Sequence, residues 1–557
     1  MDINQTVVQN LLVSENKNLS PESKLFAQKV ARSITEIHPK VDNIADIVAF
    51  LEVLGYNKET INKYGFSDSN ELANYVYDFI DVYEIPNEDG KKFIQTSSVE
   101  IPSVGFRLAE GISLVFPWLA SLAVLFIAGV SLWMAWKLPI QIATAFIVGI
   151  LVGMVITEGP FQAFGKLFSF YHEQNNIGEV KRLLKRVYKL VAVVLAVVVC
   201  LLYLVGYLER IPSSLVFVTM ISTVTISLHR ASYMIIHALK KIAYTIISYS
   251  VALASLLATY YLGEQLIPDV TTRYFVALVI AFVTLTVFAI FQHYKLTHNS
   301  ATETTVGQPH FYKPISRAEK TIKSRFSVQL WETLPNTLFG IFFFMIMFSD
   351  RVLSWIYNPE IVKSGISLPM LFNPVYHTGA DMAWTVLFPT YIVQYVMMAP
   401  FFSHMRNLSL NCKISEISRV DSFIHNTYKK LVLATLLTSL VTAGILNLAG
   451  PLIISHSGYS QISLHILQFA SIANVFMSIF GANSLFLMIF NKIKMLVILV
   501  IGCAALVGIG GIIVVQFGFE NLVFAYLASS VVAAIVSSIY VKKMMVKASS
   551  IFYARFV

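Results

Sequence analysis

Long apolar segments, repeated along most of the chain, constrain this sequence more than any other feature. From Val104 onward, apolar runs alternate with short polar breaks, and about 20 apolar residues suffice for a helix to cross a bilayer. Of all 557 residues, 56% are apolar and only 13% are charged, whereas soluble domains carry about 25% charged residues. The chain is therefore predicted to be an all-α polytopic membrane protein. An ordinary cytosolic enzyme is excluded.

Twelve segments are long and apolar enough to be membrane spans. They lie at about residues 110–135, 138–158, 188–208, 213–236, 242–262, 274–293, 333–357, 379–402, 429–454, 464–490, 494–516 and 521–541.

The first hundred residues have a different composition and predict a separate module. They hold 9 lysines and arginines against 16 acidic residues, whereas the remaining residues hold 32 against 16. Apolar residues recur at helical spacing after Pro21, after Ile44 and after Ser67-Asp68, which indicates short amphipathic helices. We predict a small acidic helical domain and linker over residues 1–100.

The distribution of basic residues predicts the orientation of the spans. If the N-terminal domain is cytoplasmic, 26 lysines and arginines lie in inner loops or the C-terminal tail and 5 lie on the outer side. Basic residues concentrate in cytoplasmic loops of membrane proteins. The chain is thus predicted to be a multi-pass protein of the cytoplasmic (inner) membrane with both termini in the cytoplasm.

Sequence similarity between the two halves predicts an internal repeat. Gly159-Pro160-Phe161 matches Ala399-Pro400-Phe401, and Tyr188-Lys189 matches Tyr428-Lys429 at the same offset of 240 residues. We predict two six-helix lobes, residues 101–294 and 327–557, joined by a cytoplasmic connector at 295–326. In transporters built from such repeats, the substrate site lies where the halves meet. The alternative is that amphipathic inner loops resemble each other by composition.

The motifs of common enzymes and metal proteins are not evident in the sequence. No Gly-rich loop ends in Lys-Ser or Lys-Thr, and no His, Cys or carboxylate group has metal-ligand spacing. We therefore predict a protein that is not an enzyme, without catalytic residues, cofactor or metal, and without a nucleic-acid partner.

Charged residues within or beside the spans are the candidate transport residues, because charge in a bilayer is costly and usually faces a cavity or a partner. Asp350 and Arg351 lie inside the seventh span, where they form either a cavity or gating pair or an ion pair at the outer headgroups. The other candidates for the cavity or its gates are Glu110, Glu158, Arg230, Glu332 and Asp381. For Glu110 and Glu332 the alternative is helix capping, and for Arg230 and Asp381 it is a structural role near a helix end.

Prolines within spans are candidate hinges, although static kinks are the alternative. They are Pro117, Pro160, Pro335, Pro389 and Pro400.

Short motifs in residues 101–557 resemble the multidrug/oligosaccharidyl-lipid/polysaccharide (MOP) flippase superfamily, and within it the PelG family of exopolysaccharide exporters. They are Val104-Gly105-Phe106-Arg107-Leu108, Phe116-Pro117-Trp118, Glu158-Gly159-Pro160-Phe161 and Ser349-Asp350-Arg351-Val352-Leu353-Ser354-Trp355. The resemblance implies a secondary transporter that exports or flips a polysaccharide or lipid-linked glycan by alternating access. Its partners would be membrane lipids, the glycan and a glycosyltransferase of a polysaccharide synthase.

Two alternative functions remain open at this stage. One is a drug/cation antiporter of the same superfamily, which predicts a carboxylate in the middle of the first lobe, where the first six spans offer none. The other is a non-transporting membrane subunit of a polysaccharide synthase, docked through the acidic N-terminal domain.

Overall fold

The structure is a computed structural model, and it describes most but not all of the chain. The described residues are 20–37, 44–53, 56, 58–82, 103–133, 138–173, 177–238, 242–298, 326–361, 368–401, 404–405, 417–456, 460–546 and 548–553. Two compact units are present, one containing residues 1–100 and the other residues 101–402 and 421–547. The predicted linker after residue 82 and most of the predicted connector lie outside the described residues.

Four short helices form the N-terminal domain. They are α1 (Pro21–Ile37), α2 (Ile44–Val53), α3 (Lys58–Lys63) and α4 (Ser69–Val82). Their apolar faces meet in one core that includes Val30, Leu51 and Val76. Asp68 begins α4 as predicted, because its Oδ1 accepts a hydrogen bond from the Glu71 amide at 2.8 Å.

Long helices make up the second unit. They are α5 (Val104–Ala128), α6 (Ile140–Glu173), α7 (Ile177–Leu208), α8 (Ser213–Ala238), α9 (Ile242–Leu262), α10 (Val270–His298), α11 (Phe326–Ile356), α12 (Pro374–Ala383), α13 (Leu387–Met398), α14 (Ile417–His456), α15 (Gln461–Ile489), α16 (Ile493–Val514) and α17 (Leu522–Met545). The short α18 (Ala548–Tyr553) is grouped with the other unit. Within the described residues, 11 helices are long and apolar enough to span a membrane, which confirms the polytopic all-α fold.

Several predicted spans differ from the observed helices, and three of the differences concern where a helix is interrupted or ends. The eighth is interrupted, because a 3-10 turn at Trp384–Val386 separates α12 from α13. The second does not end at Gly159-Pro160, since α6 continues through Pro160 to Glu173. The first ends earlier than predicted, at Gly129, whose positive φ of 69° closes α5.

The helices of the second unit pack in two groups, as the repeat predicts. Helices α5 to α10 contact one another and form what we call the first lobe, and α11 to α17 form the second lobe. The lobes meet chiefly where α6 contacts α11 and where α5 contacts α13. We call the end at which α5 begins the inner end and the opposite end the outer end, after the predicted orientation. The boundaries of the four predicted regions remain a prediction.

Close packing of α6 on α8 holds the first lobe together, through two glycines four residues apart. A Cβ on Gly149 would lie 2.4 Å from the Thr219 carbonyl oxygen, and one on Gly153 would lie 2.1 Å from Ile226 Cγ2. The Thr223 hydroxyl donates across the same contact to the Gly149 carbonyl at 3.1 Å. Small residues at this spacing let membrane helices approach closely.

Replacing Gly149 by alanine is therefore expected to destabilise the protein by about 1–3 kcal/mol, because the new methyl group meets rigid backbone. Gly165 is a matched control in the same helix, since a Cβ there would meet nothing within 4 Å. Thermal unfolding in detergent should show a lower midpoint for Gly149→Ala and no decrease for Gly165→Ala. Equal midpoints for the two variants would contradict this packing.

Candidate functional site

A cavity of about 320 Å³ lies between the two lobes. It is lined from α5, α11, the 3-10 turn and α13 by Leu114, Val115, Trp118, Phe343, Phe344, Met347, Phe348, Trp384, Leu387, Phe388 and Tyr391. Seven of these eleven side chains are aromatic, and none of the described lining residues is charged. Ligand sites of this kind are mostly apolar, with a few polar groups that fix orientation.

Asp350 and Arg351 form a buried ion pair next to this cavity. Both side chains are 1% exposed, and Arg351 Nη1 lies 3.1 Å from Asp350 Oδ1. Arg351 Nε also donates to Asp381 Oδ1 on α12 at 2.9 Å, and its guanidinium carbon lies 4.3 Å from the centre of the Trp384 ring. This burial inside the protein favours the first of the two alternatives, and a role of the pair in transport remains a prediction.

Hydrogen bonds continue from this ion pair through α12. The Tyr376 hydroxyl donates to Asp350 Oδ2 at 2.8 Å. His377 Nδ1 lies 2.9 Å from Asp381 Oδ2, and the Trp355 indole N–H donates to His377 Nε2 at 2.8 Å. We call Asp350, Arg351, Tyr376, His377 and Asp381 the charge array.

Trp384 joins the charge array to the cavity, because it lines the cavity and its ring centre lies 4.3 Å from the guanidinium carbon of Arg351. Asp381 precedes Trp384 by three residues, and its side chain is 40% exposed although both of its partners, Arg351 and His377, are buried.

A second ion pair joins two helices of the first lobe. Arg230 of α8 pairs with Glu158 of α6, and their side chains are 13% and 6% exposed. Gln162 Nε2 donates to Glu158 Oε1 at 2.7 Å. The Arg230 guanidinium carbon lies 5.3 Å from the ring centre of Phe344, a cavity-lining residue of α11. Arg230 and Glu158, both predicted as candidates, are thus partners, and Arg230 contacts one residue of the cavity wall.

The remaining acidic candidates do not cap their helices. Ser103 caps α5, since its hydroxyl accepts from the Phe106 amide, and Glu110 lies two turns further on. Glu110 Oε2 instead accepts from the Tyr395 hydroxyl of α13 at 2.9 Å, across the lobe contact. Glu332 is exposed on α11, away from both ion pairs, and only its carbonyl oxygen binds Lys166, at 2.9 Å.

The prolines occupy three kinds of position. Pro117, Pro160 and Pro335 lie inside α5, α6 and α11, as hinge positions require. Pro389 lies in the first turn of α13, and Pro400 lies in the turn after it. Neither of the last two interrupts a helix, because proline is tolerated in a first turn and α13 ends at Met398.

Sequence reasoning missed three residues of the site: Tyr376, His377 and Trp384. His377 and Asp381 are four residues apart, so a helix over this segment places them on one face. The predicted spans 333–357 and 379–402 leave residue 377 outside a helix, so the sequence does not predict that His377 and Asp381 share a face. Trp384 was not a candidate because only charged residues within or beside the spans were candidates, and tryptophan carries no charge.

No family model matches the chain, and no curated protein matches it. Solved structures do match. A MATE protein in complex with MaD5 has a TM-score of 0.54 at 11% identity, covering 81% of this chain and 96% of that one. An outward-facing multidrug resistance MATE family transporter of the MOP superfamily has a TM-score of 0.52 at 10% identity, covering 80% and 95%. A MOP superfamily transporter from Pyrococcus furiosus has a TM-score of 0.51 at 12% identity, also covering 80% and 95%.

These similarities establish the fold. The chain has the fold of MATE and MOP superfamily transporters over about four fifths of its length, and its described residues include 11 helices that are long and apolar enough to span a membrane. The superfamily resemblance predicted from the sequence is confirmed at the level of fold. The finer resemblance to PelG exporters remains a prediction.

Proposed function

We propose that this protein is a secondary transporter that moves a polysaccharide or lipid-linked glycan across the cytoplasmic membrane by alternating access. The observation that carries the proposal is the aromatic cavity where two lobes meet. Sugar rings have apolar C–H faces that stack on aromatic rings, with hydroxyl groups at their edges. The seven aromatic side chains of the cavity wall would supply such stacking surfaces.

Contacts at the inner end of the lobe interface support alternating access. Arg107 Nη1 donates to the Val396 carbonyl at 2.8 Å, one turn from the bond between Tyr395 and Glu110. A Cβ on Gly111 would lie 3.4 Å from Ile392 Cα. These bonds join α5 to α13 and close the inner end of the interface beside the cavity. Opening these bonds would turn the cavity toward the cytoplasm.

One observation favours a drug/cation antiporter as the second candidate function. The carboxylate of Asp381 is 40% exposed, and a carboxylate accessible in this way would attract a cationic substrate. The antiporter also predicts a carboxylate in the middle of the first lobe, where the sequence offers none, and the nearby Glu158 is buried against Arg230. One of the matching structures is described as a multidrug resistance transporter, and we infer a glycan because the cavity wall itself is aromatic and uncharged.

The partners in this proposal follow from the substrate. A glycosyltransferase of a synthase would supply the polymer on the cytoplasmic side, where the proposed orientation places both termini and the acidic N-terminal domain. A scaffold without transport activity would assemble with such partners equally well. Deletion of residues 1–95 separates the two: loss of partner co-purification with retained flux favours a transporter with a docking domain.

Flux into proteoliposomes tests the proposal. We expect the full chain to transport a fluorescently labelled neutral oligosaccharide, and Phe388→Ala to reduce that flux about tenfold, since one aromatic contact contributes about 1.5 kcal/mol. Phe517→Ala is the matched control, because Phe517 is 77% exposed away from the cavity. Equal flux in the two variants would contradict a cavity role. Uptake of ethidium but not of the oligosaccharide would identify the antiporter instead.

A further inference from the structure

Within the charge array, the hydrogen bonds of His377 show which of its ring nitrogens carries a proton and which is free to accept one. Its Nε2 accepts the Trp355 indole N–H at 2.8 Å, so Nε2 carries no proton. Its Nδ1 therefore carries the proton and donates to Asp381 Oδ2 at 2.9 Å. The ring is 8% exposed and neutral in this arrangement.

The charges around His377 do not cancel. Asp350 and Asp381 carry two negative charges, and Arg351 carries one positive charge. The other titratable groups that face the array are phenols: Tyr376 donates to Asp350, and Tyr526 of α17 donates to Asn474 Oδ1 at 2.7 Å. With His377 neutral, the array therefore holds one uncompensated negative charge, which is costly within a membrane.

We propose that His377 takes up one proton at Nε2 and thereby weakens the contact between the lobes at the outer end. The proton comes from water that reaches the array through the exposed edge of Asp381. Protonated His377 keeps its Nδ1–H bond to Asp381, and the array becomes neutral. Both ring nitrogens then carry hydrogen, so the Trp355 N–H loses its acceptor and its bond to His377 breaks.

A short path of contacts leads from His377 to the first lobe. The His377 ring centre lies 4.6 Å from that of Phe372 and 5.4 Å from that of Trp355. The Phe372 amide donates to Thr144 Oγ1 of α6 at 2.9 Å, and the Leu371 amide donates to the Trp355 carbonyl at 3.0 Å. Moving Trp355 away from a protonated His377 thus disturbs both the loop before α12 and its bond to the first lobe.

A proton suits this array better than a metal cation. Asp381 uses Oδ1 for Arg351 and Oδ2 for His377, and Asp350 is bonded to Arg351 and Tyr376. A metal ion would have to displace the Arg351 guanidinium, whereas a proton needs only the lone pair of His377 Nε2. This inference rests on the proposed function, because it identifies the ion that would drive transport.

Hydrogen exchange of the Leu371 and Phe372 amides tests the inference without any transported substrate. The full chain in nanodiscs is compared at about pH 5.5 and about pH 8, on either side of the usual histidine titration, after correction for the intrinsic pH dependence of exchange. We expect about fivefold faster exchange at the lower pH, the equivalent of one lost hydrogen bond. His377→Gln should abolish the difference, and His465→Gln, a histidine of α15 in the same lobe, should retain it.

Two further variants keep the test decisive. Trp355→Phe removes the donor while keeping an aromatic ring, so its exchange should be fast at both pH values even if His377→Gln does not fold. A pH response that persists in His377→Gln, or its absence in the unmodified chain, would overturn the proposal. The exchange rates are also compared in Na⁺ and in K⁺ at about pH 8. Faster exchange in Na⁺ that Asp381→Asn abolishes would overturn the proposal in favour of a metal cation. Glycan flux without the pH response would refute this inference alone.

Discussion

Replacement of Arg351 by methionine is expected to destabilise the folded protein by roughly 3–5 kcal/mol, because it leaves the Asp350 carboxylate buried without its cation. Asp350 is 1% exposed, so water cannot replace the lost partner. The midpoint of thermal unfolding, measured on the purified protein in detergent, should fall strongly. Arg210→Met is the matched control, since Arg210 is exposed in the turn before α8, and its midpoint should not change measurably.

A second substitution distinguishes loss of charge balance from loss of packing. Asp350→Asn/Arg351→Met removes both buried charges at similar volume, so most of the lost stability should return. Asp350→Asn and Arg351→Lys, made separately, should reduce export while the protein still inserts. A double variant as unstable as Arg351→Met alone would contradict the charge explanation, and normal export in both single variants would end the assignment of this pair to transport.

A disulfide between residues 111 and 392 is expected to abolish export. The Cβ of a residue at position 111 lies 3.4 Å from Ile392 Cα, close enough for cysteines at both positions to bridge. The bridge would fix α5 to α13 at the inner end, which alternating access has to open. Export measured as secreted polysaccharide should fall to background in the oxidised protein and return on reduction.

The disulfide between residues 111 and 392 has to be formed in a protein without other reactive thiols. Cys200, Cys412 and Cys503 are therefore replaced by serine or alanine, and the two single-cysteine variants serve as controls. Both controls should export normally under oxidising conditions. Export by a fully bridged protein at the rate of the reduced one would contradict movement at this contact.

Periodicity and length were sufficient to predict the helices of this protein, because a bilayer leaves few ways to satisfy the backbone. The positions at which helices end or are interrupted were predicted less well. Gly159-Pro160 suggests a helix end, yet α6 continues, since neighbouring helices can compensate for proline in a membrane. Conversely, Asp381–Val386 contains no proline or glycine, and nothing in this segment signals the 3-10 turn that separates α12 from α13.

The charged residues of the site were predictable individually but not as partners. A charge in an apolar span signals a functional or paired residue, and this identified Asp350, Arg351, Glu158 and Arg230. Their pairing depends on contacts between helices far apart in sequence: Glu158 and Arg230 are 72 residues apart. The aromatic cavity wall was not predictable, because aromatic residues are abundant throughout the chain and only the packing of the lobes selects which of them face the cavity.

Two-sided labelling of a cavity residue is the most direct measurement of alternating access. A cysteine is placed at position 114, in the cavity wall. A membrane-impermeant maleimide is then added from each side of the membrane in turn. The labelling is measured first with the 111–392 disulfide formed and again after it is reduced. With the bridge formed, we predict reaction from the outer side alone; after reduction, we predict reaction from both sides. Labelling whose sidedness is the same before and after reduction would contradict a cavity that alternates between the two faces of the membrane.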